Sequence, residues 1–250
     1  MTSLANKTAV IIGASGKSSF GTSIAQHLKA AGANVVIAAR RMESLQENAK
    51  EFDALPVACD ITDETQLANL FETARTTYGG VDIAVNSAGF QAMDPIAELS
   101  PEKIRPTLEV SFVGSLLFFK HAAASMQKGG SVITISSLTA RLPGPGLSVY
   151  AGARAGIDYA IRVAAFEYAT QKIRFNSIAA GLIETDMTAV MFTQQSIVDR
   201  FVQEIPVGRM GTVDDVAQAA LWLADEKASG FVNGQVIDLS GGQHMGHLPY

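Results

Sequence analysis

Seven short apolar runs recur along the chain, separated by longer amphipathic segments. The runs are TAVIIG (8–13), NVVIAAR (34–40), LPVACD (55–60), VDIAVNSAG (81–89), GSVITISS (130–137), IRFNSIAAG (173–181) and GQVIDLSGG (234–242). They are apolar along most of their length instead of alternating with polar residues. That is the pattern of strands buried on both faces. The segments near 22–31, 42–52, 63–78, 102–127, 150–171 and 212–225 have helical periodicity. Strands alternating with helices predict βαβ units. The expected fold is therefore α/β: a doubly wound parallel sheet of about seven strands with helices on both faces. Ligands of such sheets bind beyond the carboxyl ends of the strands.

With 250 residues, 48% of them hydrophobic and 17% charged, one large core can form, so a single domain over 1–250 is expected. The formal net charge is −5 and the basic residues are scattered, which argues against nucleic-acid binding. The single cysteine, Cys59, allows no internal disulfide and reads as a small buried apolar residue. The start, MTSLANKTAVIIG, lacks a signal-peptide pattern, and no apolar stretch is long enough to span a bilayer. A cytoplasmic location without membrane contact is the expectation. Residues 184–208 break the strand–helix rhythm with an insert on the carboxyl side of the sixth run. There it would overhang the ligand crevice, so it is read as a substrate lid; the plainer alternative is a surface excursion.

The loop IIGASGKSSFG (11–21) admits two readings. Gly16-Lys17-Ser18 resembles the end of a phosphate-binding P-loop, but the first glycine of that pattern would fall on Ile11, inside the strand. The dinucleotide reading fits better. Gly13 ends the strand, Gly21 sits where a helix must approach the sheet, and backbone amides at the helix start can hold a pyrophosphate.

NSAG (86–89), ISS (135–137), YAGARAG (150–156) and SGG (240–242) stand in the order and spacing of one family. On these motifs the chain, over roughly residues 7–242, resembles a short-chain dehydrogenase/reductase. The resemblance implies a single Rossmann-type domain and NAD(P)-dependent hydride transfer at a carbonyl or alcohol. It carries the general acid/base tyrosine to Tyr150 and the serine that binds the substrate oxygen to Ser137, thirteen positions earlier. Two positions depart from the family. Its lysine, four residues after the tyrosine, is Arg154, and its asparagine on the preceding long helix is Ser111. Arginine keeps a permanent charge and a hydrogen-bonding fork but does not readily pass on a proton. The family's proton relay is therefore expected to be rerouted, slowed or absent. Tyr168 and Lys172 repeat the Tyr-x-x-x-Lys spacing but fall one strand too late.

For the cofactor, the resemblance assigns the loop residues Gly13, Ser15, Lys17, Ser19, Phe20 and Gly21. It adds Asp60 with Ile61 for the adenine, and Asn86, Ala88 and Gly89 for the cleft. Tyr150, Arg154, Gly181, Ile183 and Thr185 complete the set on the nicotinamide side. The loop is two residues longer than the family's usual spacing, with Ser19 where the middle glycine is expected. The second strand ends Ala39-Arg40-Arg41, with no carboxylate to repel a 2′-phosphate. Arg40, Arg41 and Lys17 predict a preference for NADP(H), with NAD(H) as the lesser alternative.

Phe90, Met93, Leu142, Met187, Met191 and Phe192 are candidate substrate contacts, and they favour an apolar carbonyl or alcohol. Each can equally be core. His244 and His247 in the tail are too few for a metal site, and no metal is expected. The resemblance implies oligomers, typically tetramers. Two other functions stay open. Ser111 and Arg154 are compatible with a cofactor-binding protein of little or no catalysis. The long Gly13–Ser19 loop is compatible with the family's divergent enoyl reductases, although Ile157 stands where their lysine would be.

Overall fold

The computed structural model describes residues 3–186 and 188–246. All seven runs form strands: β1 (Thr8–Ile12), β2 (Asn34–Ala39), β3 (Leu55–Ala58), β4 (Ile83–Asn86), β5 (Gly130–Ser137), β6 (Ile173–Ala180) and β7 (Val236–Leu239). They make one sheet in the order β3-β2-β1-β4-β5-β6-β7, and every pair is parallel.

The strand order explains why the runs are apolar throughout. Ala9 and Ile11 of β1 face one side of the sheet, and Val10 and Ile12 face the other. On the first side lie α1 (Phe20–Ala30), α2 (Met42–Phe52) and, through Val216, Ala217 and Ala220, a helix at Val213–Ala224. On the second lie α3 (Glu64–Tyr78) and two further helices that contribute Phe118, Phe119, Ile157 and Ile161. No face of the central strands is left for water, so no polar alternation is possible.

The remaining helices are α4 (Pro101–Leu108), α5 (Gly114–Ser125), α6 (Ser148–Glu167), α7 (Ala189–Phe192), α8 (Gln195–Gln203), α9 (Val213–Ala224) and α10 (Glu226–Ser229). The expected single helix at 102–127 is interrupted. Pro106 removes one backbone donor inside α4, and Glu109–Val113 widen into a π-helical segment before α5 begins. Ser111 lies within that segment. The 184–208 insert holds the short α7 and α8. The other helix boundaries fall within about two residues of the amphipathic segments, apart from the last turn of 150–171, where a separate 3₁₀ turn (Ala169–Gln171) follows α6.

The chain leaves β1 outward to β2 and β3, then returns to β4 and proceeds to β7. The order reverses between β1 and β4, and a crevice opens there at the carboxyl ends. Among the described residues no helix is long and apolar enough to cross a membrane.

Candidate active site

The loops at this crevice are held by close backbone contacts and by side chains of the neighbouring strand ends and helices. Gly13 (φ +92°) ends β1 where a Cβ would lie 2.7 Å from the Ser87 hydroxyl and the Ala88 nitrogen. A Cβ at Gly21 would lie 2.6 Å from the Gly13 carbonyl oxygen. Both glycines are required because the ends of β1, β4 and α1 meet here without space for a side chain. Ser87 Oγ donates to the Ile12 carbonyl at 2.8 Å and fixes the two strand ends together.

The loop of 14–19 owes its shape to polar groups from two helices. Thr22 Oγ1 donates to the Gly16 carbonyl at 2.6 Å and lies 3.2 Å from that of Ala14. Asn48, buried on α2, donates to the Ala14 carbonyl at 3.0 Å. These bonds turn the loop carbonyls inward. Ser19 is the N-cap of α1, its hydroxyl accepting from the Thr22 N–H. Its φ of −128° is one any residue adopts, so serine costs nothing where the family has glycine. Lys17, Arg40 and Arg41 are exposed around this loop, and Arg41 Nη2 lies 3.4 Å from Ser15 Oγ. Phe20 is half-buried at the start of α1.

Asp60 closes a turn after β3: its carboxylate accepts from the N–H and hydroxyl of Thr62. Ile61 is buried beside it. Cys59 is buried too, and its thiol is pushed up to about 12 by burial, then by Asp60 and Asp63. It is not a reactive thiolate. Asn86 donates to Ser115 Oγ at 2.9 Å and accepts from the Ala88 N–H at 3.0 Å, which locks the turn after β4.

Ser137, Tyr150 and Arg154 come from two adjoining elements. Ser137 ends β5 and caps the 3₁₀ turn Leu138–Ala140, and α6 packs on that turn with Tyr150 in its first residues. Ser137 Oγ accepts from the N–H and hydroxyl of Thr139, at 3.2 and 2.9 Å. Arg154, one turn along α6, is only 4% exposed. Its guanidinium donates to the Ile135 carbonyl at 3.1 Å and lies 3.4 Å from that of Ala88. It also lies 5.1 Å from the centre of the Tyr150 ring, within cation–π range. Among the described residues its Nε–H has no hydrogen-bond partner. Gly89 leaves the space this side chain occupies, because a Cβ there would collide with Arg154 Nη2. Ser111, fully buried in the π segment, lies within 3.3 Å of the Phe90 carbonyl and 3.5 Å of its N–H.

Tyr168 and Lys172 sit at the amino end of β6, whereas Ser137 pairs with Ala180 at its carboxyl end. The two tyrosine motifs therefore lie at opposite ends of the strands.

Loops 90–95 and 141–147, which carry Met93 and Leu142, join through the Asp94 N–H to Gly146 carbonyl bond at 3.0 Å. Phe90 and Met93 are exposed. Met191 and Phe192 are on α7 in the insert, and Met187 lies outside the described residues, as does His247. His244 pairs with Ser240 Oγ at 3.0 Å. Gly181, Ile183 and Thr185 follow β6; Gly181 and Ile183 also line a cavity of about 230 Å³ beneath Ile205 and Val207. Among the described residues none of the candidate substrate side chains lines that cavity.

Two participants carry no local signal in the sequence. Asn48 stands on α2 beside the buried Leu45 and Ala49, a polar residue in an apolar stripe. Asp186 meets the glycine-rich loop across 168 residues of chain: Ser18 N–H donates to its carboxylate at 3.2 Å.

Comparison with known proteins decides the family. A family model described as "Enoyl-(Acyl carrier protein) reductase" matches residues 13–244. The chain belongs to the short-chain dehydrogenases/reductases. It is 35% identical to an uncharacterized oxidoreductase of Mycobacterium bovis, over 98% of this chain and 100% of that protein. It is 32% identical to carbonyl reductase family member 4 of Danio rerio, over 96% and 99% of the two chains. The structure of a short-chain type dehydrogenase/reductase from Mycobacterium ulcerans superposes with a TM-score of 0.93 at 31% identity, covering 99% of this chain and 93% of that one. As an oxidoreductase of this family, the chain uses a nicotinamide cofactor. The donor set fits one: the loop carbonyls of Ala14 and Gly16 are engaged from within, the Ser18 N–H already holds a carboxylate, and Arg41 reaches Ser15 of the same loop.

Proposed function

We propose that the protein is an NADP(H)-dependent oxidoreductase that interconverts a carbonyl and a secondary alcohol on a mainly apolar substrate. The observation that carries this reading is the Ser137–Tyr150–Arg154 grouping at the carboxyl ends of β4 and β5. The bound cofactor supplies or accepts the hydride. Tyr150 donates its phenolic proton to the forming alkoxide and takes it back in the reverse direction. Ser137, whose hydroxyl has only Thr139 as partner among the described residues, holds the reacting oxygen. Arg154 keeps a fixed positive charge beside the Tyr150 ring, and its unpaired Nε–H is available to a ribose hydroxyl or a water.

Gly13, Ser15, Ser19, Phe20 and Gly21 shape the pyrophosphate side. Asp60, Ile61, Asn86, Ala88 and Gly89 form the adenine and ribose wall, and Gly181, Ile183 and Thr185 the carboxamide side. Exposed Arg40, Arg41 and Lys17 favour a 2′-phosphate. The 184–208 insert acts as a lid, with Met191 and Phe192 facing substrate alongside Phe90, Met93 and Leu142. Tyr159, Val163 and Phe166 form an exposed apolar stripe on α6 that suits association with further copies of the chain as a tetramer.

A second reading has its own observation. Arg154 reaches backbone carbonyls, and Ser111 is bonded to Phe90, so neither reproduces a Lys–Asn relay. A cofactor-binding protein with little turnover would look the same at these positions. A carbonyl and alcohol panel read at the NADPH absorbance separates the two. The expected result is turnover with NADPH above that with NADH, and reversal of that preference in Arg40→Asp. Binding without turnover across the panel would favour the second reading. Arg154→Lys sharpens the outcome: a large rise in rate means the relay is compromised, and a fall means arginine has a role of its own.

A further inference from the structure

Asp186 makes a closed clasp with the glycine-rich loop. Ser18 N–H donates to Asp186 Oδ2 at 3.2 Å, and the Asp186 N–H donates back to the Ser18 carbonyl at 2.9 Å. The same carboxylate oxygen lies over the Cα of Gly16, where a Cβ would collide with it. The loop carbonyls of Ala14 and Gly16 are already engaged by Thr22 and Asn48 on the inner side. The carboxylate thus occupies the outward, donor face of the loop. Among the described residues Asp186 forms no ion pair with a lysine, arginine or histidine. A carboxylate held only by the backbone of an anion-binding loop behaves there as an internal anion.

Asp186 is also the third residue of the insert. Thr188 Oγ1 donates to the Ile183 carbonyl at 2.7 Å and accepts from the Thr185 N–H at 2.9 Å, so Thr188 is tied back to the chain just before Asp186. The loop before α1 and the chain entering α7 are therefore tied at one point.

We propose that Asp186 is a cofactor-gating latch: its carboxylate competes with the phosphates of the incoming dinucleotide for the loop, and its displacement releases the start of the 184–208 insert. The inference rests on the NADP(H) reading above. Two negative groups cannot share the Ser18 N–H, so binding must move one of them. Because Asp186 is exposed, the competition is screened by water and salt and its size is modest.

The test measures NADPH affinity by fluorescence for the wild type, Asp186→Asn and Asp186→Ala, at low and high salt. Removing the charge is expected to tighten NADPH binding about two- to fivefold at low salt, with the gain shrinking as salt rises. Hydrogen exchange without any dinucleotide reads the clasp itself. Asp186→Ala is expected to speed exchange in the segment containing Ser18, whereas Asp186→Asn keeps an acceptor and stays near the wild type. Unchanged or weaker NADPH binding in Asp186→Asn overturns the latch, because a carboxylate that merely shapes the loop gives that result. Unchanged exchange in Asp186→Ala overturns it too. Failure of the cofactor reading looks different: the wild-type chain would then bind neither NADPH nor NADH.

Discussion

Two arginines are buried in this molecule, and they are satisfied to different degrees. Arg174, on β6, donates to the carbonyls of Leu223, Ser229 and Val232 at 2.6–3.1 Å. Those carbonyls belong to the end of α9 and the turn after α10, so Arg174 closes the chain where two short helices run out of donors. Burial holds its guanidinium below the ordinary arginine range, against the opposing pull of Glu226 and Asp225. Arg154 is buried as deeply, yet it has two carbonyls, an aromatic face and one orphaned N–H. A cation bonded to three carbonyls is part of the scaffold. A cation held beside a half-buried phenol with a donor to spare is poised for something else. The contrast separates the amino-end chemistry of the fold from the carboxyl-end chemistry of the site.

Arg174→Met should show the largest stability loss, about 2–4 kcal/mol, since it strips buried carbonyls of their charged partner. Urea unfolding measures it. Arg154→Met should lose less than half as much while turnover falls. Equal losses would erase the distinction. Gly89→Ala comes next: the added methyl displaces the Arg154 guanidinium, and a cost of about 1–3 kcal/mol is expected from overpacking, together with reduced turnover. A variant with wild-type stability and rate would mean that Arg154 need not pass Gly89.

The smallest effect concerns Asp158, one turn beyond Arg154. Burial raises its carboxyl above the ordinary aspartate value, opposed by Ser177 Oγ at 2.8 Å, by the nearby Ser136 hydroxyl, and by the charges of Arg141 and Arg154. With the folded value above the unfolded one, its contribution to stability is greatest below the unfolded value of about 3.9 and falls as pH rises through the folded value. Asp158→Asn keeps an acceptor for Ser177 without the buried charge. Its unfolding free energy in urea should therefore gain on that of the wild type as pH rises from 4 to 8. A gain that instead grows toward low pH would show that Asp158 is a stabilising carboxylate.

Much of this was readable because strands buried on both faces announce themselves. All seven runs became strands, and the expectation of β5 at 130–137 is met residue for residue. The family and the Ser137–Tyr150–Arg154 spacing were also legible, since one element end and one helix turn fix them. The π segment at Glu109–Val113 was not, because its hydrogen-bond shift leaves no periodic trace over five residues. The capping role of Ser19 was not legible either, because it shows only once the Thr22 N–H is placed against the Ser19 hydroxyl. Asp186 and Asn48 act on the loop from remote positions, and neither pairing has a motif.

The most direct measurement is the turnover of NADPH with a reducible carbonyl by Tyr150→Phe, made alongside NADPH binding by the same variant. A fall of about 10²–10⁴ in kcat with binding retained is the predicted result. Full turnover by the phenylalanine variant would contradict the assignment of Tyr150 as the acid/base.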